Sequence, residues 1–240
     1  MSSPLIDLLW RDHPDAPQRG RRGPRSRVST GAVVDTALGL ADDEGLSAVT
    51  IRALGEALGV STMSVYTHVG SRDDLLVLMV DAAHARMALP ALGRAGWRTR
   101  VRRVADANLA LLRRRPWLLD VSDDRVVLGP GTIAKYDHEL HAFDPMGLDD
   151  VNRDAALTFV LDFVRAAARA QRPDPRRDQM AAVWAESGAR LAAYLGDDHP
   201  LAQRVGASAG EAMDAAYSPD HAWEFGIGRV LDGLAALERE

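Results

Sequence analysis

Residues 60–71 read VSTMSVYTHVGS and carry small hydrogen-bonding side chains but no Lys, Arg, Asp or Glu, although 26% of the whole chain is charged. Short hydroxyls and an imidazole can exchange hydrogen bonds with base edges in the major groove of DNA, and methyl groups can contact thymine. An acidic side chain in this stretch would repel phosphate. The composition therefore predicts a surface that contacts base pairs, formed by Ser61, Thr62, Met63, Ser64, Thr67 and His68.

Two short predicted helices joined by a tight turn would position this surface. Ile51, Leu54 and Leu58 are three and four residues apart, as on one helix face, and Gly59 is free to turn the chain at positive φ. Ser61 can then cap a second helix that runs through residue 68. This order is the helix-turn-helix pattern, in which the second helix enters the major groove.

A helix is predicted on each side of this pair. The first covers Gly31–Glu44, with Ser29 or Thr30 as its cap, and the other starts at Ser71 and continues toward Met87. Backbone N–H groups and guanidinium groups near helix starts are suited to phosphate. We therefore expect phosphate contacts from Thr50, Arg52, Ser71 and Arg72.

An arginine-rich segment, QRGRRGPRSRVST, precedes the first of these helices and contains no acid, although the net charge of the chain is −5. Its Gly and Pro residues disfavour independent folding, so we predict a flexible basic arm. Such an arm can enter a minor groove or neutralise phosphate, and a solubilising tail is the alternative. The arginines expected at DNA are Arg22, Arg25 and Arg27.

Helical periodicity continues to the end of the chain, which predicts an all-α protein. A joint is expected at Pro90–Gly96, which gives an N-terminal extension at 1–27, a three-helix helix-turn-helix DNA-binding domain at 28–89 and a larger helical domain at 97–240. In the larger domain helices are predicted at Lys135–Phe143, Asp150–Gln171, Met180–Leu195 and His221–Leu237, with a loop-rich stretch from GDDHP to YSPD.

The segments EGL, VTIRALGEALGVS and VYTHVGSRDDLL resemble the DNA-binding domain of the TetR family of transcriptional repressors. The resemblance implies DNA contacts at the positions named above and places Tyr66 near phosphate. Gly70 departs from it, because many relatives have a polar or basic residue there. RRRPWLLDV and WEFGIGRVLDGLAAL are similar, more weakly, to the ligand-binding domains of the tetracycline-repressor-like branch.

That family resemblance implies a homodimer that binds a palindromic operator and is released by a small molecule, with no cofactor. Asp150–Gln171 and the final helix, in which Ala222, Gly226 and Gly233 leave room for a neighbour, would pair with their copies. Aromatic and sulfur side chains are the candidates for a hydrophobic or aromatic ligand: Trp117, Tyr136, Phe143, Met146, Phe159, Phe163 and Trp184. His138 and His141 could hold a metal beside the ligand, but their spacing is not a zinc signature, and no metal site is predicted.

Other classes of protein are compatible with parts of the sequence. GASAG at 206–210 matches the GxSxG motif of hydrolases, but that motif needs a preceding strand and a later acid and histidine, so we predict no enzyme. A helical protein-binding adaptor leaves the basic arm without a purpose. With no run of about 18 apolar residues and no signal-like start, the chain is expected to be soluble and cytoplasmic. The absence of cysteine excludes a disulfide scaffold and thiolate catalysis.

Overall fold

A computed structural model describes residues 4–17, 28–121, 127–196, 198–213 and 217–239. These residues form eleven α-helices and contain no strand, which confirms the all-α class. None of the described helices has the length and apolarity that crossing a bilayer takes. The helices are α1 (Leu5–Leu9), α2 (Thr30–Glu44), α3 (Ile51–Leu58), α4 (Thr62–Val69), α5 (Arg72–Ala85), α6 (Trp97–Arg114), α7 (Pro130–Leu140), α8 (Asp150–Gln171), α9 (Pro175–Leu195), α10 (Pro200–Met213) and α11 (Pro219–Leu234).

The chain divides into two compact units, residues 1–161 and 162–240, whose boundary falls within α8. The first unit contains α1 to α7 and the second contains α9 to α11. These units are groups of residues in mutual contact, and their boundary differs from the joint expected at residues 90–96. The division into a DNA-binding domain and a ligand-binding domain therefore stays a prediction.

Four consecutive helices of the first unit begin with a hydroxyl cap, and three of these caps, at Ser29, Ser61 and Ser71, are predicted from the sequence. The side-chain oxygens of Ser29, Thr50, Ser61 and Ser71 accept hydrogen bonds from backbone N–H groups three residues later, at distances of 2.9–3.2 Å. Each bond pairs an N–H group that the helix itself leaves unpaired. The starts of α2, α3, α4 and α5 are thus fixed by local sequence.

A short helix, α1, lies in the N-terminal extension, where no helix is predicted. Leu8 and Leu9 are buried, and the indole N–H of Trp10 donates to the carbonyl oxygen of Leu128 at 2.7 Å. The extension therefore has an ordered portion that packs within the first unit. Arg22, Arg25 and Arg27 lie outside the described residues.

Helix α7 starts at Pro130, five residues before the predicted start at Lys135. The sequence GPGT suggests a loop, but proline is well suited to the first helical position because its missing N–H would be unpaired there. The cap comes from α5, since the carboxylate of Asp81 accepts from the backbone N–H of Thr132 at 2.8 Å. A cap supplied from 51 residues away cannot be seen in the local sequence.

Two predictions for the C-terminal half are wrong. The stretch predicted to be loop-rich contains α10, in which alanine and other helix-forming residues prevail over the glycines and serine that suggested a loop. Helix α9 starts at Pro175 rather than Met180. The GASAG segment at 206–210 lies inside α10 and is helical throughout, so no strand of the kind a hydrolase motif needs precedes it in the described residues.

The second unit contains an aromatic contact around α11. Phe163 stacks on Trp223 with ring centroids 5.5 Å apart and an interplanar angle of 14°. A Cβ atom at Gly226 would overlap the Phe163 ring. The sequence suggested that the space at Gly226 would admit a neighbouring subunit, but a side chain of the same chain fills it. At Gly233, by contrast, a Cβ atom would meet none of the described atoms within 4 Å.

Candidate nucleic-acid interface

Helix α4 rests on an apolar base and presents its other side outward. Val65 and Val69 are fully buried, as is Leu54 of α3, while Leu58 and Val60 are half-buried. A Cβ atom at Gly55 would lie 2.9 Å from the carbonyl oxygen of Val60, so the close approach of the turn to α3 requires glycine there. The two helices are therefore held at a fixed angle by packing and by the turn.

The outer side of α4 carries the side chains predicted to contact base pairs. Met63 is 71% exposed, and Tyr66 is 43% exposed. Ser64 and His68 are half-buried, so they are less accessible than predicted. The Thr67 hydroxyl donates to the Met63 carbonyl oxygen at 2.9 Å, which leaves its methyl group and a lone pair available. The exposed members of this surface are Ser61, Thr62, Met63, Tyr66 and Thr67.

The predicted phosphate contacts lie at the starts of α3 and α5. Arg52 is highly exposed, and its Nε donates to the Glu56 carboxylate at 2.9 Å. This hydrogen bond and the carboxylate charge raise the pKa of Arg52. Arg72 is exposed and donates to the Val49 carbonyl oxygen at 3.3 Å, a bond that uses one of its five N–H groups. Both arginines therefore have donors that can turn toward DNA.

One further contact, which the sequence did not suggest, ties the end of α4 to α2. The Thr30 hydroxyl donates to the His68 carbonyl oxygen at 3.1 Å. At the other end of α2, the Asp42 carboxylate accepts from Trp117 Nε1 at 2.7 Å and from Arg115 Nε at 3.1 Å. These bonds connect the helix-turn-helix to the rest of the first unit through α2.

The residues predicted to contact a ligand have different surroundings in the described part of the chain. Trp117 and Phe143 are buried in the core, and Met146 is half-buried. The Tyr136 hydroxyl donates to Asp154 at 2.7 Å, a bond that raises the pKa of Tyr136. Phe159 is exposed, Phe163 stacks on Trp223, and the side chain of Trp184 lies outside the described part of the chain.

The two histidines of the YDHELH segment have separate partners. His138 Nε2 is 2.9 Å from the Pro90 carbonyl oxygen, and His141 Nδ1 is 2.9 Å from the Asp144 carboxylate. Burial of Asp144 opposes its ionisation, but hydrogen bonds from His141 and Arg153 outweigh this and lower its pKa. Within the described residues, no group of three or more His, Cys, Asp or Glu side chains is placed to hold a metal ion.

Two features of the structure are not predicted by the sequence. One is a buried charged group, in which Glu139 accepts from Lys135 at 2.7 Å and from Asn108 at 2.6 Å and so links α6 to α7. The other is a cavity of about 580 Å³ between α2, α5, α7 and residues 9–14, which we call the N-terminal segment. None of the predicted ligand-binding residues lines it. The bond between Asn108 and Glu139 and the cavity both join segments that are far apart in sequence, so no local pattern could reveal them.

Comparison with protein families gives two matches that together cover most of the chain. Residues 33–79 match the family "Bacterial regulatory proteins, tetR family", and residues 89–237 match "Tetracyclin repressor-like, C-terminal domain". The second match alone spans more than half of the chain. This chain belongs to the TetR family. It is therefore a helix-turn-helix transcriptional regulator, and α3 and α4 are its helix-turn-helix.

Relatives of this TetR-family chain are known in sequence and in structure. It is 34% identical over 239 residues to the HTH-type transcriptional repressor DrrR1 of Streptomyces coeruleorubidus, covering 97% of this chain and 85% of that one. It is 27% identical to ActR of Streptomyces coelicolor in complex with actinorhodin, with a TM-score of 0.73, covering 90% of this chain and all of that one. BioQ with its double-stranded DNA operator shares the fold at 19% identity, with a TM-score of 0.51, covering 69% of this chain and 95% of that one.

Proposed function

We propose that this TetR-family regulator is a repressor that binds a palindromic operator as a homodimer and is released by a small molecule. The observation that carries the proposal is the outer side of α4, where uncharged hydrogen-bonding side chains are exposed above a base of buried valines. Arginines lie at the starts of the helices on either side. This arrangement suits a helix in the major groove, with neutral side chains at bases and cations at phosphates.

The thirteen residues proposed to contact DNA have separate tasks. The α4 residues Thr62, Met63, Ser64, Thr67 and His68 select the sequence. Arg52, Arg72, Tyr66 and the helix starts at Thr50 and Ser61 position the protein on phosphates. The arm adds charge that strengthens binding to any duplex. The full set is Arg22, Arg25, Arg27, Thr50, Arg52, Ser61, Thr62, Met63, Ser64, Tyr66, Thr67, His68 and Arg72.

A homodimer would place two copies of α4 in successive major grooves, about 34 to 36 Å apart. Helices α8 and α11 are proposed to form the interface. Val151 and Phe159 of α8 are exposed, and Phe225 of α11 is 61% exposed, so both helices leave large apolar side chains uncovered in the single chain. Their burial against a second copy would supply the hydrophobic free energy of association.

A small molecule would release the operator by favouring a dimer arrangement with a different spacing of the two α4 helices. Such a shift needs about 10⁴-fold tighter binding to the released arrangement. The structure of ActR in complex with actinorhodin supports a small-molecule ligand for this chain as well. We propose Trp117, Tyr136, Phe143, Phe159, Phe163 and Trp184 as its contacts, which favours a hydrophobic or aromatic compound. The proposal includes a cytoplasmic location and no catalytic activity.

Selection of bound duplexes from a random DNA pool tests the proposal most directly. We expect a palindromic consensus, and we expect binding to fall steeply as salt concentration rises because counterions are released from phosphates. Small aromatic compounds are then tested for release of the selected duplex. A pool without enrichment at low salt would refute the DNA-binding assignment.

Variants of α4 and α5 separate base contacts from phosphate contacts. Thr62→Ala and Thr67→Ala should change the selected sequence, whereas Arg72→Ala should weaken binding to all sequences about equally and reduce the salt slope by about one. Asp137→Ala on α7 removes an exposed charge outside the proposed interface and serves as the control. Equal losses on every sequence for the threonine variants would contradict their assignment to bases.

A further inference from the structure

The cavity of about 580 Å³ in the first unit has the features of a small-molecule site. Its walls come from Leu9 of the N-terminal segment, Val34 of α2 and Leu78 of α5, and three alanines on α5 and α7 contribute side chains too short to fill it. Ligand sites commonly have about 300–1,000 Å³ and largely apolar walls. The volume is therefore sufficient for a molecule of two or three fused or linked rings.

The lining of the cavity suits a planar aromatic molecule. Ala82 and Ala85 of α5 and Ala134 of α7 contribute short apolar side chains, and the indole of Trp10 also lines the space. The Trp10 ring is held in place because its N–H donates to the Leu128 carbonyl oxygen at 2.7 Å. A fixed indole beside small side chains can stack on a flat ring without repacking of the walls.

Two guanidinium groups line the cavity and can receive an anion, those of Arg11 and Arg86. The Arg11 guanidinium lies 3.5 Å from the carboxylate of Asp12, whose side chain is 91% exposed, and the carboxylate of Asp81 is directed to the start of α7. Arg86 forms an ion pair with Asp35, and the two side chains are 46% and 59% exposed, respectively. Exposed ion pairs contribute little to stability, so a ligand anion can replace Asp35 at small cost.

We propose that this cavity binds a planar aromatic anion, such as an aryl carboxylate or sulfonate, with the rings between Trp10 and the alanines and the anionic group at Arg86. The site is separate from the ligand contacts proposed above and does not depend on them. A bound molecule would contact the N-terminal segment, α2, α5 and α7 together, so it would stabilise the docking of the N-terminal segment on the first unit.

Two fluorescent probes that differ in one charged group test the proposal on the full chain. The anionic probe is 8-anilinonaphthalene-1-sulfonate, and N-phenyl-1-naphthylamine is the same ring system without the sulfonate. We expect both to bind the unchanged chain, and we expect Ala134→Trp to weaken both by at least about tenfold because the new indole occupies the part of the cavity next to α7. Ile133→Trp changes the neighbouring residue of α7, which does not line the cavity, and should leave both affinities unchanged.

Variants of Arg86 and of its ion-pair partner Asp35 test whether the cavity binds the anionic group of the probe. Arg86→Met should weaken binding of the sulfonate probe about fivefold, the ratio expected for one partly exposed ion pair, and leave the neutral probe unchanged. Asp35→Asn should strengthen the sulfonate probe, because it frees the guanidinium without altering the lining, and this variant carries the charge test if Arg86→Met does not fold. Absence of binding to the unchanged chain, full binding by Ala134→Trp, or equal effects of the charge variants on both probes would overturn the proposal.

Discussion

Removal of the Asp81 carboxylate should destabilise the contact between α5 and α7. Asp81 is only 8% exposed, and its carboxylate accepts from the Thr132 N–H at 2.8 Å. A hydrogen bond to a charged group contributes about 1.5–3 kcal/mol, and loss of a helix cap costs about 0.5–2 kcal/mol. These are two estimates of the same interaction, so we expect Asp81→Ala to lower the free energy of unfolding by about 2 kcal/mol.

Urea unfolding followed by circular dichroism and by tryptophan fluorescence measures this loss. Asp81→Asn keeps an acceptor oxygen without the charge, so its free energy of unfolding should fall by about half as much as that of Asp81→Ala. Asp137→Asn alters an exposed carboxylate on α7 and should change stability by less than about 0.5 kcal/mol. A loss below about 0.5 kcal/mol for Asp81→Ala would refute the assignment of this carboxylate as the α7 cap.

A second variant tests whether the same carboxylate determines the residue at position 129. A Cβ atom at Gly129 would overlap the Asp81 carboxylate, so Gly129→Ala should destabilise the unchanged chain. In the Asp81→Ala background the space is open, and the added methyl group should cost much less. A double-mutant cycle therefore should give a coupling free energy of about 1 kcal/mol or more, and additive effects would contradict the geometry.

Three other expectations follow from contacts of the described residues. Glu56→Gln should strengthen binding to any duplex by a few-fold and make binding more dependent on salt, because the variant frees the Arg52 guanidinium and removes a negative charge beside phosphate. Filter binding at several salt concentrations measures both effects. Ultraviolet titration should show the Tyr136 phenol ionising above its ordinary pH range. Asp154→Ala should return the pKa of Tyr136 toward 10, since the Asp154 carboxylate accepts a hydrogen bond from the phenol and its charge opposes ionisation. Gly226→Ala should lower the thermal midpoint of unfolding because the added methyl group displaces the ring stacked on α11, and an unchanged midpoint would count against that packing.

Local signals in the sequence were sufficient for the helix-turn-helix. Ser29, Thr50, Ser61 and Ser71 cap helices that start immediately after them, and Gly59 is in the left-handed conformation at the end of α3. Every one of these features depends on residues within four positions along the chain. The boundaries of α3 and α4 therefore agree with the prediction to within one residue.

The features that the sequence could not reveal depend on contacts between distant segments. The start of α7 is capped by Asp81 of α5, and α1 is held by burial of Leu8 and Leu9. Composition was misleading at α10, where glycine and serine suggested a loop. The aromatic ligand contacts are predicted from residue type, and residue type alone does not show which aromatic side chains would share a cavity.

The division of α4 into a buried side and an outer side has a consequence for how such a regulator can acquire new target genes. The side chains of Met63 and Tyr66 are 71% and 43% exposed, so changes there cost the domain little stability, whereas truncation of the buried Val65 or Val69 would open a void. Operator preference can therefore drift through single substitutions that leave the fold intact. Duplicated copies of such a chain could diverge in the promoters they control while keeping the same scaffold.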